Sequence, residues 1–174
     1  MNIELISTIQ GHEQQLTALL IDCVNSGASV GFHAPLTQSD AGCYWYKVDK
    51  GLQTGERLLV VTFIGDKLVG AIQLSLCLKA NGLHRAEVEK LMVHTQYRQH
   101  GIAKQLLAAI EDIALGHQRT LLVLDTRTGD AASGLYRKQG YIEVGQIPQF
   151  VTNSNGKFES TTIFYKQLGI PVSS

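Results

Sequence analysis

The sequence is poor in cysteine, and its three cysteines form no pattern. Cys23, Cys43 and Cys77 are odd in number and widely spaced. That excludes a paired disulfide framework and a C-x-x-C zinc site, and leads to the expectation of a reducing, cytoplasmic setting. No excess of either charge exists: fifteen basic and fifteen acidic residues give a formal net charge of zero. A nucleic-acid or membrane surface would need a basic excess on one face, so neither partner is expected. The N-terminus lacks a basic segment followed by an apolar one, since Glu4, Glu13 and Asp22 interrupt it; no secretory leader is expected. Long apolar runs are missing too. The longest, around Leu58 to Ile64, has a strand's length and is too short to span a bilayer. Repeats, low-complexity tracts and an interdomain linker are likewise absent, so one domain over 1–174 is expected.

What is present is an ordinary globular composition, 44% hydrophobic and 17% charged, with room for a real core. Asn2 to Thr8 reads as a strand and His12 to Asn25 as a helix, with Leu16, Leu19, Leu20, Cys23 and Val24 on one face. Gly27 to Pro35 is a loop whose Phe32 either covers a ligand or plugs the core. Thr37 with Asp40 resembles a capping box, opening a helix to about Lys50 with mostly packed Tyr44, Trp45 and Tyr46. Glu56 to Ile64 and Lys67 to Lys79 form a hairpin about Gly65-Asp66, and Asn81-Gly82 turns into a third antiparallel strand, Ala86 to Val93.

The chain is organised around the segment just beyond this strand. Arg98-Gln99-His100-Gly101-Ile102-Ala103-Lys104 separates the strand from a helix with Ile102, Leu106, Ile110 and Ile113 at helical spacing, ending near Gly116-His117. Free N–H groups at such a helix start carry partial positive charge and suit a phosphate or pyrophosphate. Gly101 allows close backbone approach, and Arg98 and Lys104 add charge. Thr120 to Asp125 is a nearly continuous apolar strand, hence buried and parallel to the strand before the helix, completing a right-handed βαβ unit. A short helix, Ala131 to Gln139, stops at Gly140. Tyr141 to Ile147 and Phe158 to Tyr165 are final strands around a polar loop, Pro148 to Lys157. Ligands sit beyond the carboxyl ends of parallel strands, which puts Asp125 near the phosphate loop. Walker and dinucleotide fingerprints are both missing. His94 and His100 have no metal-binding spacing and read as loop residues, so no metal is expected.

Two motifs at this separation, R-x-x-G-x-A (98–103) and Y-x-x-x-G-Y (136–141), make the chain resemble the GNAT family of N-acetyltransferases. The resemblance runs from about residue 2 to 168. It implies a mixed α/β fold: a mostly antiparallel sheet of about seven strands, a central parallel βαβ pair and flanking helices. A closer resemblance, to the branch of that family conferring tabtoxin resistance, rests on Gly27 to Phe32, Gln73 to Cys77, Asn81 to Leu83, Arg85 to Val88, Lys90 to Val93 and Leu124 to Thr126. Glu89 stands where that pattern has an amide, His100 where it has a basic residue and Ala103 where it has glycine.

The resemblance implies acetyl-CoA as co-substrate and direct attack by an amine in a ternary complex. The expected acceptor is a small-molecule primary amine, such as a toxin or antibiotic-like amino acid. A peptide or protein amine, or an acyl-CoA-binding sensor without turnover, are the alternatives; a homodimer is an open option. Arg98, Gln99, His100, Gly101, Ile102, Ala103 and Lys104 would hold the pyrophosphate. Leu91, Met92 and Val93 would offer backbone to the pantetheine arm if the parallel strands splay. Glu87 is the first candidate base and Asp125 the second, or the holder of the substrate ammonium; each is otherwise a strand-end carboxylate or a loop cap. Two such carboxylates repel, raising one pKa. Tyr136 is the candidate acid for the departing thiolate, a phenol titrating near ~10 against ~8.5 for a thiol. Ser133 either hydrogen-bonds the pantetheine arm or is an ordinary serine at a helix start. Phe32, Glu87 and Asp125 would contact the acceptor.

Overall fold

The computed structural model describes residues 1–169, so positions 170–174 of the expected 1–174 domain lie outside the described residues. Seven strands form one sheet: β1 (Asn2–Ile6), β2 (Arg57–Ile64), β3 (Lys67–Leu76), β4 (Arg85–Val93), β5 (Leu121–Arg127), β6 (Ile142–Thr152) and β7 (Phe158–Gln167). Their order is β1-β2-β3-β4-β5-β7-β6, with β4 and β5 the parallel pair and the other pairings antiparallel. Two helices, α1 (Glu13–Asn25) and α2 (Gln38–Thr54), lie between β1 and β2 in the chain; α3 (Ile102–Gly116) joins β4 to β5, and α4 (Ala131–Lys138) follows β5. The expected mixed sheet with a parallel βαβ centre is what the chain forms.

Alternation of apolar side chains explains how both faces are covered. Val60, Ile72, Leu74, Ala86 and Val88 pack under α3 through Ile102, Leu106, Leu107 and Ile110. Leu59, Val61 and Ala71, pointing the other way, pack under α1 and α2 with Leu16, Leu20 and Trp45. Thr37 caps α2 as expected, its hydroxyl accepting from the Asp40 N–H at 3.1 Å. Trp45 is fully buried, whereas Tyr46 is 61% exposed. The α2 helix outlasts its expected end by one turn and stops at Gly55, which takes the left-handed conformation of a helix C-cap.

Two departures concern β4 and β6. In β4 the partner register jumps from Gln73↔Glu89 to Ala71↔Met92, so one extra residue is accommodated near Lys90, whose φ is +53°. Such a bulge bends a strand and reverses the sides its residues face. Ala86 and Val88 pack on the α3 side; after the bulge Leu91 and Val93 do so, while Met92 turns to the α1 and α2 side. The polar stretch from Pro148, expected as loop, instead continues β6 to Thr152 across a register break between Ile147 and Val151. Pro148 lies inside that break on the sheet's edge strand, where a missing N–H is tolerated.

Gly70 on β3 lets α3 lie close. A Cβ there would come within 3.0 Å of a Leu106 methyl and 3.2 Å of the Met92 carbonyl oxygen. Replacing Gly70 by Val is expected to lower stability by about 1–3 kcal/mol. A fall in the urea midpoint with unchanged slope would register this; an unchanged midpoint would show that α3 is not held so tightly.

Candidate functional site

The parallel pairing of β4 and β5 is short. It covers Arg85↔Leu121, Ala86↔Leu122 and Glu87↔Val123, and no further pairs follow, although both strands continue. Beyond Glu87 the side of β4 that faced β5 is therefore released from the ladder, and a cleft opens above the sheet. Two cavities occupy it.

The larger, about 760 Å³, runs from Leu91, Met92 and Val93 past the start of α3 to α4. Gly101 is the N-cap of α3 with φ +76°, and no side chain caps the helix. The first intrahelical bond runs from the Gln105 N–H to the Gly101 carbonyl at 3.1 Å. The N–H groups of Ile102, Ala103 and Lys104 thus have no earlier helix carbonyl to bond, and all three residues line the cavity. A built Cβ at Gly101 meets nothing within 4 Å, so glycine is required there by its backbone angle and not by crowding. Lys104 and Lys138 add cationic heads. Donors, dipole and charge together fit a diphosphate.

Arg98 is engaged elsewhere. Its Nε donates to the Val93 carbonyl at 3.1 Å and its Nη2 to Ser26 Oγ at 3.0 Å. It therefore ties the loop to the ends of β4 and α1, and its charge reaches the cavity from a fixed position. The Cys23 thiol also points at the Val93 carbonyl, 3.5 Å away. Burial pushes this thiol above its ordinary pKa, so it is a packed group and not a nucleophile poised at neutral pH.

The smaller cavity, about 430 Å³, adjoins the first and shares Ala28, Leu91, Arg127, Asp130 and Ala132 with it. Glu87, Asp125 and Tyr136 all line it, with Lys90 and Phe150. Thr161 Oγ1 donates to Asp125 Oδ2 at 2.7 Å and fixes that carboxylate. Desolvation raises the Glu87 pKa above the usual carboxylate value, with Glu89 and then Asp125 adding repulsion. Burial, reinforced by Asp125 and Asp130, pushes Tyr136 up to about 12. Its phenol is therefore neutral at neutral pH.

A polar chain runs beneath this cavity. Arg57 Nη1 donates to Glu89 Oε2 at 2.7 Å and to Gln73 Oε1 at 2.8 Å, and Gln73 Nε2 donates to the Tyr44 hydroxyl at 2.9 Å. Gln73 is fully buried and its amide is satisfied at both ends. Arg127 bridges the two cavities' common wall, donating to Asp130 at 3.0 Å and to the Gly27 carbonyl at 3.0 Å.

Of the residues singled out from sequence, Leu91, Met92, Val93, Arg98, Gln99, Gly101, Ile102, Ala103 and Lys104 line the larger cavity, and Glu87, Asp125 and Tyr136 the smaller. Three do not line either one. His100 turns its Nδ1 to the Arg98 carbonyl at 2.7 Å and closes the turn on itself. Phe32 packs edge-on against Tyr44, ring centroids 5.2 Å apart, partly buried at the margin of the α1 and α2 core. Ser133 is buried on the inner side of α4, its hydroxyl without a partner. Lys90, Arg127, Asp130 and Lys138 were missed from sequence. Only Lys90 leaves a trace there: a charged residue where the alternation of Ala86 and Val88 calls for an apolar one.

Residues 30–141 match the model of the acetyltransferase (GNAT) family. Among solved structures, a ribosomal-protein-alanine N-acetyltransferase from Brucella melitensis is 20% identical, with a TM-score of 0.81 over 97% of this chain and 100% of that one. The yncA protein of Salmonella typhimurium, solved with its cofactor acetyl-CoA, is 16% identical, with a TM-score of 0.79 over 100% of this chain and 98% of that one. A protein provisionally assigned as a phosphinothricin N-acetyltransferase is 19% identical, with a TM-score of 0.77 over 97% and 100%.

The Glu87 environment has a signature in stability. A carboxyl with a raised folded-state pKa binds its proton more tightly folded than unfolded, so stability falls as pH rises from the ordinary carboxylate value through the folded one. Glu87→Gln is expected to be relatively more stable than the parent at pH 7 than at pH 4. Urea midpoints of both proteins across that range test it, and parallel curves would refute a perturbed Glu87.

Proposed function

The chain belongs to the acetyltransferase (GNAT) family, and from that premise we propose that it transfers acetyl from acetyl-CoA to a primary amine of a small molecule, by direct attack within a ternary complex. The whole of 1–174 is read as one such domain. The observation that carries the reading is the adjoining pair of cavities, one with free helix N–H groups and the other with two carboxylates and a neutral phenol.

Acetyl-CoA, when bound, supplies an acetyl thioester whose C–S bond breaks as the acceptor nitrogen forms the amide. The start of α3, with Gln99, Gly101, Ile102, Ala103, Lys104 and Lys138, would take the diphosphate, and Leu91 to Val93 the pantetheine arm. Glu87 removes one proton from the acceptor ammonium and passes it to solvent. Its pKa, raised by desolvation, makes it a better base than an ordinary carboxylate. Asp125, fixed by Thr161, orients the ammonium. Tyr136, at about 12 against ~8.5 for a thiol, does not give up its proton outright, since full transfer runs uphill by roughly 5 kcal/mol. It donates a hydrogen bond to the leaving sulfur, and the nitrogen's second proton ends on the thiol.

A small acceptor is favoured over a peptide by the size of the second cavity, about 430 Å³. His33 Nε2 lies 2.9 Å from the Thr152 carbonyl, and the Ala34 N–H donates to Ser154 Oγ at 3.0 Å. These contacts fasten the 27–35 loop, whose Ala28 to Gly31 line that cavity, to the β6–β7 end. The tabtoxin-resistance likeness and the phosphinothricin assignment of one structural neighbour point the same way. The cysteines are free, in keeping with a cytoplasmic site of action. Among the described residues, no helix is long and apolar enough to cross a membrane. We also infer a homodimer. The edge strand β6 carries exposed Ile142, Val144 and Ile147, and Phe158 beside it is 65% exposed.

Thiol release from acetyl-CoA over an amine panel tests the function; turnover with peptides only, or binding without turnover, would overturn it. Glu87→Gln should lower kcat by about 10²-fold or more with acetyl-CoA affinity nearly unchanged. It should also remove the acidic limb of the rate profile, where parent activity falls as pH drops through the raised Glu87 pKa. Tyr136→Phe should lower kcat on the order of 10². For the dimer, Val144→Asp with Phe158→Asp should halve the mass measured by light scattering; a monomeric parent would rule it out.

A further inference from the structure

We propose that Lys90 is the acceptor's anion anchor: the amine to be acetylated belongs to a molecule that also bears a carboxylate or similar oxyanion, held by Lys90 Nζ while its ammonium faces Glu87 and Asp125. The inference rests on the acetyl-transfer reading and adds to it the residue that would select an anion-bearing acceptor.

Its position is the first ground. Lys90 sits at the β4 bulge with φ +53°, a left-handed conformation that non-glycine residues seldom take. Lys90 lines the smaller cavity, and its Nζ lies close against Gly31 of the same wall, 3.2 Å from where a Cβ there would stand. The bulge places Lys90 as the inserted residue between Glu89, which pairs with Gln73, and Met92, which pairs with Ala71.

The second ground is its lack of a partner. Three cationic side chains border this region. Arg57 is bound to Glu89 at 2.7 Å and to Gln73. Arg127 is bound to Asp130 at 2.8 Å, to Glu159 and to the Gly27 carbonyl. Lys90, among the described residues, has no ion pair and no hydrogen bond, although it is only partly exposed. Desolvation, the largest influence, draws its pKa down, while Glu89, Asp125 and Glu87 pull the other way from a distance and none of them forms an ion pair with it. A bound oxyanion would give the ammonium a direct partner, and a charge-assisted bond in a cleft is among the stronger polar contacts.

The third ground is charge balance. Glu87 and Asp125 would meet the acceptor's ammonium, and Lys90 stands on the same cavity with the opposite sign. Cation and anion sites on one wall match a zwitterion. A plain alkyl amine would leave Lys90 unused.

The test compares acceptors in matched sets: free α- and ω-amino acids, their carboxamides, and the amines left when the carboxylate is removed. Thiol release is followed with parent, Lys90→Met and Lys90→Arg, and acetyl-CoA affinity is measured for each as a check on folding. The expected result is at least about tenfold higher kcat/KM for one acid series over its carboxamides and amines. Lys90→Met should abolish that preference, raising KM for acids and leaving neutral amines within about twofold. Lys90→Arg should restore part of it. Equal or better use of neutral amines by the parent overturns the inference while leaving the acetyl-transfer reading intact. So does a uniform loss on all acceptors in Lys90→Met. Absence of turnover with every amine would end both readings together.

Discussion

The site depends on how few residues hold β4 to β5. Three parallel pairs join the strands, and then the extra residue at Lys90 bends β4. A parallel ladder carried to the ends of both strands would have sealed the sheet where the cleft now stands. The bulge thus does two things at once. It frees one side of a strand for an extended ligand, and it exchanges which residues face the helices, so that Met92 closes one core while Leu91 and Val93 close the other. Both cores flank the bulge and oppose its relaxation, which is how a lysine stays in a backbone region it would not choose.

Fixed charge surrounds this opening. Arg57 neutralises Glu89 and is held in turn by Gln73 and Tyr44, so the carboxylate nearest in sequence to Glu87 cannot swing away. Desolvation of Glu87, with repulsion from Glu89 and Asp125, raises its affinity for a proton. On the proposed reading, preorganised electrostatics of this kind would need no rearrangement as a proton passed to Glu87.

Much of this could be read from residue order. The apolar spacing of Ile102, Leu106 and Ile110, the glycine before it and the apolar run ending at Asp125 are local signals, and they led directly to the parallel centre and the helix start. Glu87, Asp125 and Tyr136 meet because strand ends and one short helix face the same cleft, which topology dictates once the βαβ unit is recognised. Phe32, His100 and Ser133 escaped because their fates depend on partners distant in sequence or on one rotamer: Tyr44 for the first, a backbone carbonyl for the second, burial of one helix face for the third. Strand β6 was cut short because Pro148 and its polar neighbours read as loop, and only an edge position with a register break lets them continue as strand.

Leu91, Ala28 and Ala132 border both cavities. On the proposed reading, the two ligands would meet across this shared border. An acyl group longer than acetyl would extend past these small side chains into the room the amine needs. Donor chain length and acceptor size are set against each other by that narrow passage, and enlarging Ala132 or Ala28 would shift the boundary without touching any charged group.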